Sequence, residues 1–237
     1  ILSSKLKLEN EITRNKENID KYLDLAKSEF RNGNKSKSSL SLLNAAELSI
    51  KQIGDSRTKA RLSTQISQLR LALNDKDNAF KNLIDSEKYI SEMYTDLPKK
   101  IKNMAKVYEI LGNLKKKDKQ KEIEERIYLI IDNEIKNNDN KASAYVEIAK
   151  TNLLINNIEK VKNDLKKSSK LAEKSATYVD IARIFYEIKD IEQCKLHINK
   201  AKTAANSKDQ IFWVVRELIN ISLFEKLIGL EIFLLSK

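Results

Sequence analysis

Apolar residues recur along this chain at helical spacing, and small side chains fall among them at fixed intervals. In the stretch Tyr178–Cys194 (YVDIARIFYEIKDIEQC), Ala182 follows Ile181. The polar turn Lys189-Asp190 begins seven residues on, Cys194 comes five later and Ala201 seven after that. The same spacing starts at Ala149, with Asn156-Asn157, Val161 and Ser168. It starts again at Ala26, with Gly33-Asn34, Ser38 and Ala45, and at Ser67, with Asn74-Asp75, Ala79 and Ser86. A further copy opens at Ala105 and Gly112-Asn113, then departs from the pattern at Lys117 and Glu124.

The flanking positions predict how such copies fold. The residue before each anchor is apolar: Leu25, Ile66, Met104, Ile148 and Ile181. Four before the anchor stand Tyr22, Ile101, Tyr145 and Tyr178, with Ser63 the exception. In the second half of the copy the apolar partners are Leu42, Leu83, Leu165 and Ile198, and Lys121 breaks the series. Two antiparallel helices joined by a tight turn must approach closely somewhere; small residues permit it and large apolar ones fill the space around it. Gly, Asn and Asp at the turn tolerate the left-handed conformation that ends a helix. Ser56, Asp96, Asp139, Ser175 and Asp209 stand where N-caps of the first helices are expected. Pro98, the only proline, falls in a first turn, where its missing N–H costs nothing.

The pattern resembles the tetratricopeptide repeat, in which an aromatic and a Leu-Gly pair mark the first helix, and Ala and Phe the second. The corresponding residues are Tyr145, Ile148-Ala149, Val161 and Leu165; Tyr178, Ile181-Ala182, Cys194 and Ile198; and Tyr22, Leu25-Ala26, Ser38 and Leu42. The family's closing Pro is absent. Anchor spacings of 41, 38, 44 and 33 residues exceed the family's usual repeat of about 34 except in the last case. The resemblance implies an all-α fold, an α-α superhelix of about five helical hairpins with a C-terminal capping helix. It is organised as an N-terminal helix (1–17), a repeat array (18–209) and an apolar C-terminal cap or interface (210–237). A run from Leu114 to Lys136, with Ile123, Ile127, Ile130, Ile131 and Ile135, reads as a lengthened second helix.

In arrays of that family the first helices line the concave surface, so the resemblance implies a groove. The residues after the anchors would face it: Lys27, Gln68, Lys106, Lys150 and Arg183. Three further on lie Phe30, Leu71, Glu109, Leu153 and Tyr186. A basic ladder beside an apolar stripe suits an acidic or amphipathic helical segment of another protein.

Composition narrows the alternatives. One proline and four glycines are few for a β protein, and evenly spread apolar residues argue against disorder. The net charge of +11 rests on lysine, since only 8 of 45 basic residues are arginine. Arginine is the better tool for phosphate and base readout, so a nucleic-acid or anionic-surface binder is the lesser reading. A solvated face is the expectation for the clusters Lys115–Lys121 and Lys160–Lys174. His197 and Cys194, each the only one of its kind, stand three apart, too few for a metal site. Cys194 reads as a packing residue and His197 as a surface one. No catalytic constellation, phosphate loop or nucleophile elbow is present, so the expectation is no enzyme, no cofactor and no metal.

The end of the chain, QIFWVVRELINISLFEKLIGLEIFLLSK (210–237), is rich in apolar residues. Charges at Arg216, Glu217, Glu225, Lys226 and Glu231 interrupt it too often for a membrane span. Trp213, Leu227, Ile228, Leu230, Phe233 and Leu234 are the candidate interface there. A partner protein, a second copy of the chain or the chain's own core could cover it. The expected function is a non-catalytic adaptor that binds and stabilises a partner, with self-association through the C-terminus as the alternative. A start at Ile1 instead of Met fits an exported or anchored protein of the cell envelope or periplasm of an AT-rich bacterium; a cytoplasmic one is the alternative.

Overall fold

The computed structural model describes residues 17–28, 31, 37–51, 53–93 and 97–220, and among them the regular structure is all helical. The positions Phe30, Gly33, Asn34 and Asp96, and the C-terminal Leu227, Ile228, Leu230, Phe233 and Leu234, lie outside the described residues. The helices are α1 (17–28), α2 (Lys37–Ile50), α3 (Ser56–Ala72), α4 (Lys76–Ser91), α5 (Leu97–Asn113) and α6 (Lys117–Leu129). A π-helical turn follows at Ile130–Glu134. Then come α7 (Asn138–Leu154), α8 (Ile158–Leu171), α9 (Ser175–Glu187), α10 (Ile191–Thr203) and α11 (Lys208–Asn220). The fold is an all-α array of helical hairpins. It divides into two compact units, Ile1–Ile127 and Tyr128–Lys237.

Four hairpins end their first helix in the same way. Asn74, Lys115, Asn156 and Lys189 have φ of 64°, 59°, 59° and 61°. The next residue's N–H closes the turn on a carbonyl five back: Asp75 on Arg70 (2.8 Å), Lys116 on Leu111 (3.0 Å), Asn157 on Asn152 (2.8 Å) and Asp190 on Phe185 (2.9 Å). This is the left-handed helix stop that the polar turns at Asn74, Asn156 and Lys189 predict. The other hairpin differs. Its left-handed residue is Lys115, not the expected Gly112-Asn113, so the residue equivalent to Ser67, Ala149 and Ala182 is Tyr108 and not Ala105. The described anchors are therefore 41, 41 and 33 residues apart (Ser67, Tyr108, Ala149, Ala182). Across from Tyr108 the packing is polar: its hydroxyl donates to Glu124 (3.3 Å), and Gln120 Nε2 donates to its carbonyl (3.3 Å). A large anchor is accommodated by hydrogen bonding where the other hairpins use close approach.

Elsewhere the small positions perform as their spacing predicts. Ala149, Ala182 and Ala201 are 0% exposed. Serine at these sites does more than leave room: Ser67 Oγ donates to the carbonyl of Ala79 (2.7 Å), Ser86 to that of Ala60 (2.9 Å) and Ser168 to that of Ala142 (2.8 Å). Each bond crosses from one helix of a hairpin to the other, which requires the backbones to lie close. Large side chains fill the remainder. Leu83, Leu165 and Ile198 are buried as expected, each worth roughly 2 kcal/mol of apolar transfer.

The first pair is shifted. The core of the first unit takes Leu43 and Ala46 from α2, one residue beyond the expected Leu42 and Ala45, with Ile19, Leu23 and Ala26 from α1. Leu25, expected to be buried beside Ala26, is 53% exposed. The long isoleucine run is buried as a lengthened second helix, and it finishes in the π turn instead of α-helix throughout: Ile123, Ile127, Ile130, Ile131 and Ile135 are all buried. Pro98 lies in the first turn of α5. The helix caps sit a residue or two before the expected ones. Asp55 caps α3, its carboxylate accepting the N–H of Arg57 and of Thr58. Asn137 caps α7, and Ser207 Oγ accepts the N–H of Gln210 at the start of α11.

Neighbouring hairpins are tied by buried polar groups. In the first unit Arg70, 2% exposed, reaches Asp75 (2.6 Å) beside its own turn and Asn44 (2.6 Å) and Glu47 (2.8 Å) on α2. Glu87 on α4 receives Arg126 and Lys119 from α6. In the second unit α7, α9 and α11 pack side by side as successive first helices.

Candidate functional site

Candidate residues lie on first helices in both units. In the first unit Lys27 lies on α1 with its ammonium 3.1 Å from Asp24. Gln68 and Leu71 are half-buried on α3, and Lys106 on α5 pairs with Glu109 at 2.7 Å. In the register set by Lys115, the residue one past the anchor is Glu109. Lys106 stands about one turn earlier on the helix and reaches Glu109 through that ion pair.

In the second unit the geometry is tighter. Lys150 on α7 and Arg183 on α9 both approach Asp180, at 3.7 Å and 3.3 Å. The 33-residue repeat brings them to the same height on adjacent helices. Leu153 and Tyr186, one turn further on, are partly buried against the unit's core, and Leu154, the next residue on α7, is 66% exposed. The result is a ledge on which two cations share the Asp180 carboxylate, bordered by an apolar and an aromatic side chain. The basic ladder is thus less bare than the sequence suggests, because Lys27, Lys106, Lys150 and Arg183 each have a carboxylate within 4 Å. Exposed pairs of this kind contribute little to stability, and their charges stay open to exchange with a partner's.

Trp213 on α11 is partly buried and packs on the core of the second unit. It lines a small cleft of about 300 Å³ with Ser175, Ala176 and Gln210. Phe212, the next residue back, is 71% exposed.

Cys194 is the packing residue its spacing indicates. It is buried, and burial pushes its thiol up to about 11, opposed by the nearby Lys195. A thiol in that state is a poor nucleophile at neutral pH. His197 corrects the sequence reading: it is 3% exposed, not a surface group. Its ring stacks on Phe185 with centroids 5.1 Å apart. Nδ1 lies 2.7 Å from the carbonyl of Gln193 and Nε2 lies 2.8 Å from Ser169 Oγ. A carbonyl only accepts, so Nδ1 carries the proton and Nε2 accepts from the serine. Burial holds the imidazole below its ordinary 6.5; the Gln193 carbonyl opposes this and the Lys200 charge adds to it. Among the described residues no group of three or more His, Cys, Asp and Glu is placed to hold a metal ion. No helix among them is long and apolar enough to cross a membrane.

No protein-family model and no curated protein matches the chain. Among solved structures it is similar to the crystal structure of BtubC (BKLC) from P. vanneervenii. The TM-score is 0.43 with 12% identity, over 83% of this chain and 90% of that one.

Proposed function

We propose that the chain is a non-catalytic protein-binding module, a tetratricopeptide-like adaptor whose first helices capture an acidic or amphipathic segment of another protein and stabilise it by mass action. The observation that supports this reading is the α7–α9 ledge, where Lys150 and Arg183 share Asp180 beside Leu153 and Tyr186. A partner's carboxylate can exchange into the site against Asp180, while an apolar side chain lies on Leu153 and Tyr186. That combination gives both electrostatic steering and apolar burial. The cations are held by a carboxylate of their own helix layer and do not depend on a partner for a fixed position.

The test is charge reversal at Lys150→Glu with Arg183→Glu. Capture of the partner from native lysate, identified by mass spectrometry, is lost while the melting temperature is unchanged. Retention of the same partner at unchanged affinity contradicts the proposal.

The exposed Phe212 on α11 favours a second reading, self-association through the C-terminal end. Light scattering over a concentration series separates the two: a mass that doubles on concentration, and reverts in Phe212→Ser, supports self-association.

A further inference from the structure

A second charged surface lies on the opposite helices of the second unit. A cleft of about 480 Å³ opens between α8 and α10. Lys162, Lys166 and Lys170 line it from α8, Leu196 and Lys200 from α10, and Phe185 from α9 beneath. Lys162 pairs with Asp190 at 3.1 Å. Lys166 and Lys170 have no carboxylate partner among the described residues, and the residues three and four away from Lys166 on α8 are Lys162, Asn163, Ser169 and Lys170, none of them acidic. Four lysines against one aspartate leave the cleft strongly positive. Lys200 is held on its floor: its ammonium donates to Ser169 Oγ (2.9 Å), and Ser169 in turn donates to the buried His197. Leu196 is 45% exposed at the rim.

The spacing of the lysines selects the ligand. Residues four apart on a helix rise by about 6 Å, so Lys162, Lys166 and Lys170 form a line about 12 Å long. A single phosphate or carboxylate cannot reach all three. An extended peptide presents alternate side chains on one side about 6.6–6.8 Å apart, close to the lysine rise. A single-stranded nucleic acid has a similar charge spacing, but it needs aromatic faces for its bases. The rings that line it, Phe185 and His197, are both buried and stacked on each other. The exposed Leu196 instead offers an apolar side chain a place to bury.

We propose that the α8–α10 cleft binds an extended acidic peptide segment, with carboxylates at alternate positions along the α8 lysines and one apolar side chain over Leu196. This site is separate from the α7–α9 ledge and stands or falls without it.

The probes are a fluorescein-labelled peptide of alternating glutamate and serine with one leucine, an isomer of the same composition with its glutamates contiguous, and a labelled oligouridylate. Fluorescence anisotropy reads binding at low and physiological salt. The alternating peptide binds more tightly than its isomer, and salt weakens it. Lys166→Glu with Lys170→Glu reduces its affinity roughly tenfold, and Leu196→Ser reduces it several-fold. Lys150→Glu with Arg183→Glu leaves it unchanged, so failure at this cleft is distinguishable from failure at the ledge. If the reversed pair melts early, Lys166→Gln with Lys170→Gln carries the same comparison. Equal binding of the two peptides, binding indifferent to the α8 substitutions, or tighter binding of the oligouridylate through the same lysines overturns the proposal.

Discussion

The carboxylate of Asp139, on the first turn of α7, accepts the backbone N–H of Lys174 at 3.3 Å, where the next first helix begins. The same oxygen accepts from the N–H of Glu173 (3.4 Å) and from Thr177 Oγ1 (3.3 Å), and the Lys174 ammonium reaches the other oxygen at 2.9 Å. The N-cap residue of α9 is Lys174, whose side chain makes no cap bond. Asp139 supplies the cap from the preceding hairpin. One buried carboxylate therefore joins helix capping, which is normally local, to the stacking of α7 on α9.

Removing that cap exposes its worth. Asp139→Ala costs about 2 kcal/mol, since it deletes a cap and leaves buried donors unmet. Urea unfolding of the second unit's signal measures it. Burial pushes the Asp139 carboxyl upward, but the Lys174 ammonium and the two backbone N–H groups outweigh this and hold it below its ordinary 3.8. A depressed carboxylate stabilises the fold above its unfolded value. That stability is lost as pH falls below 3.8 through the folded value. Asp139→Asn flattens this acid limb, and an unchanged limb counts against the assignment.

His197 works at higher pH with the same sign. Its folded value lies below the ordinary 6.5, so the unfolded chain takes the proton first. Stability is full above 6.5 and falls as pH drops below it. The protonated ring would sit beside Lys200 and Ser169 with no carboxylate among its bonded neighbours. Wild-type stability measured at successive pH values falls across that window; His197→Gln removes the slope.

The small positions have a directional cost. Ala149→Leu and Cys194→Leu each destabilise by roughly 2 kcal/mol through overpacking, while Cys194→Ala is mild. In the native state Cys194 stays unreactive to a disulfide reagent and reacts only on unfolding. Rapid labelling of the native protein, or a neutral Ala149→Leu, contradicts close packing there.

The shifted hairpin gives an independent check. A left-handed lysine is strained, so Lys115→Gly stabilises by about 0.5–1 kcal/mol. Asn113→Gly, inside α5, destabilises by a similar amount, about 0.5 kcal/mol. A turn at Gly112-Asn113 would reverse those signs.

Three turns and the close contacts at Ala149, Ala182 and Ala201 are legible, because small residues and polar stops repeat at a constant interval. Tyr108 hid the other register: it replaces a small anchor, while Ala105, about one helical turn earlier, resembles one. The compensation by Gln120 and Glu124 lies across the hairpin, where no local spacing marks it. Asp139 has the residue type of an N-cap, but its bonds go to another helix. His197 reads as surface because the groups that cover it, Ser169 and Phe185, come from two other helices. The ledge residues follow from register, whereas their pairing on Asp180 depends on α7 lying beside α9.

The most direct measurement places a photo-crosslinking amino acid at Leu153, on the ledge, in the full chain within its native cells. A discrete protein adduct is expected at Leu153, absent from the same probe at exposed Lys76 on α4 and abolished by Lys150→Glu with Arg183→Glu. Adducts that are equal at both positions, or that survive charge reversal in a folded protein, contradict it.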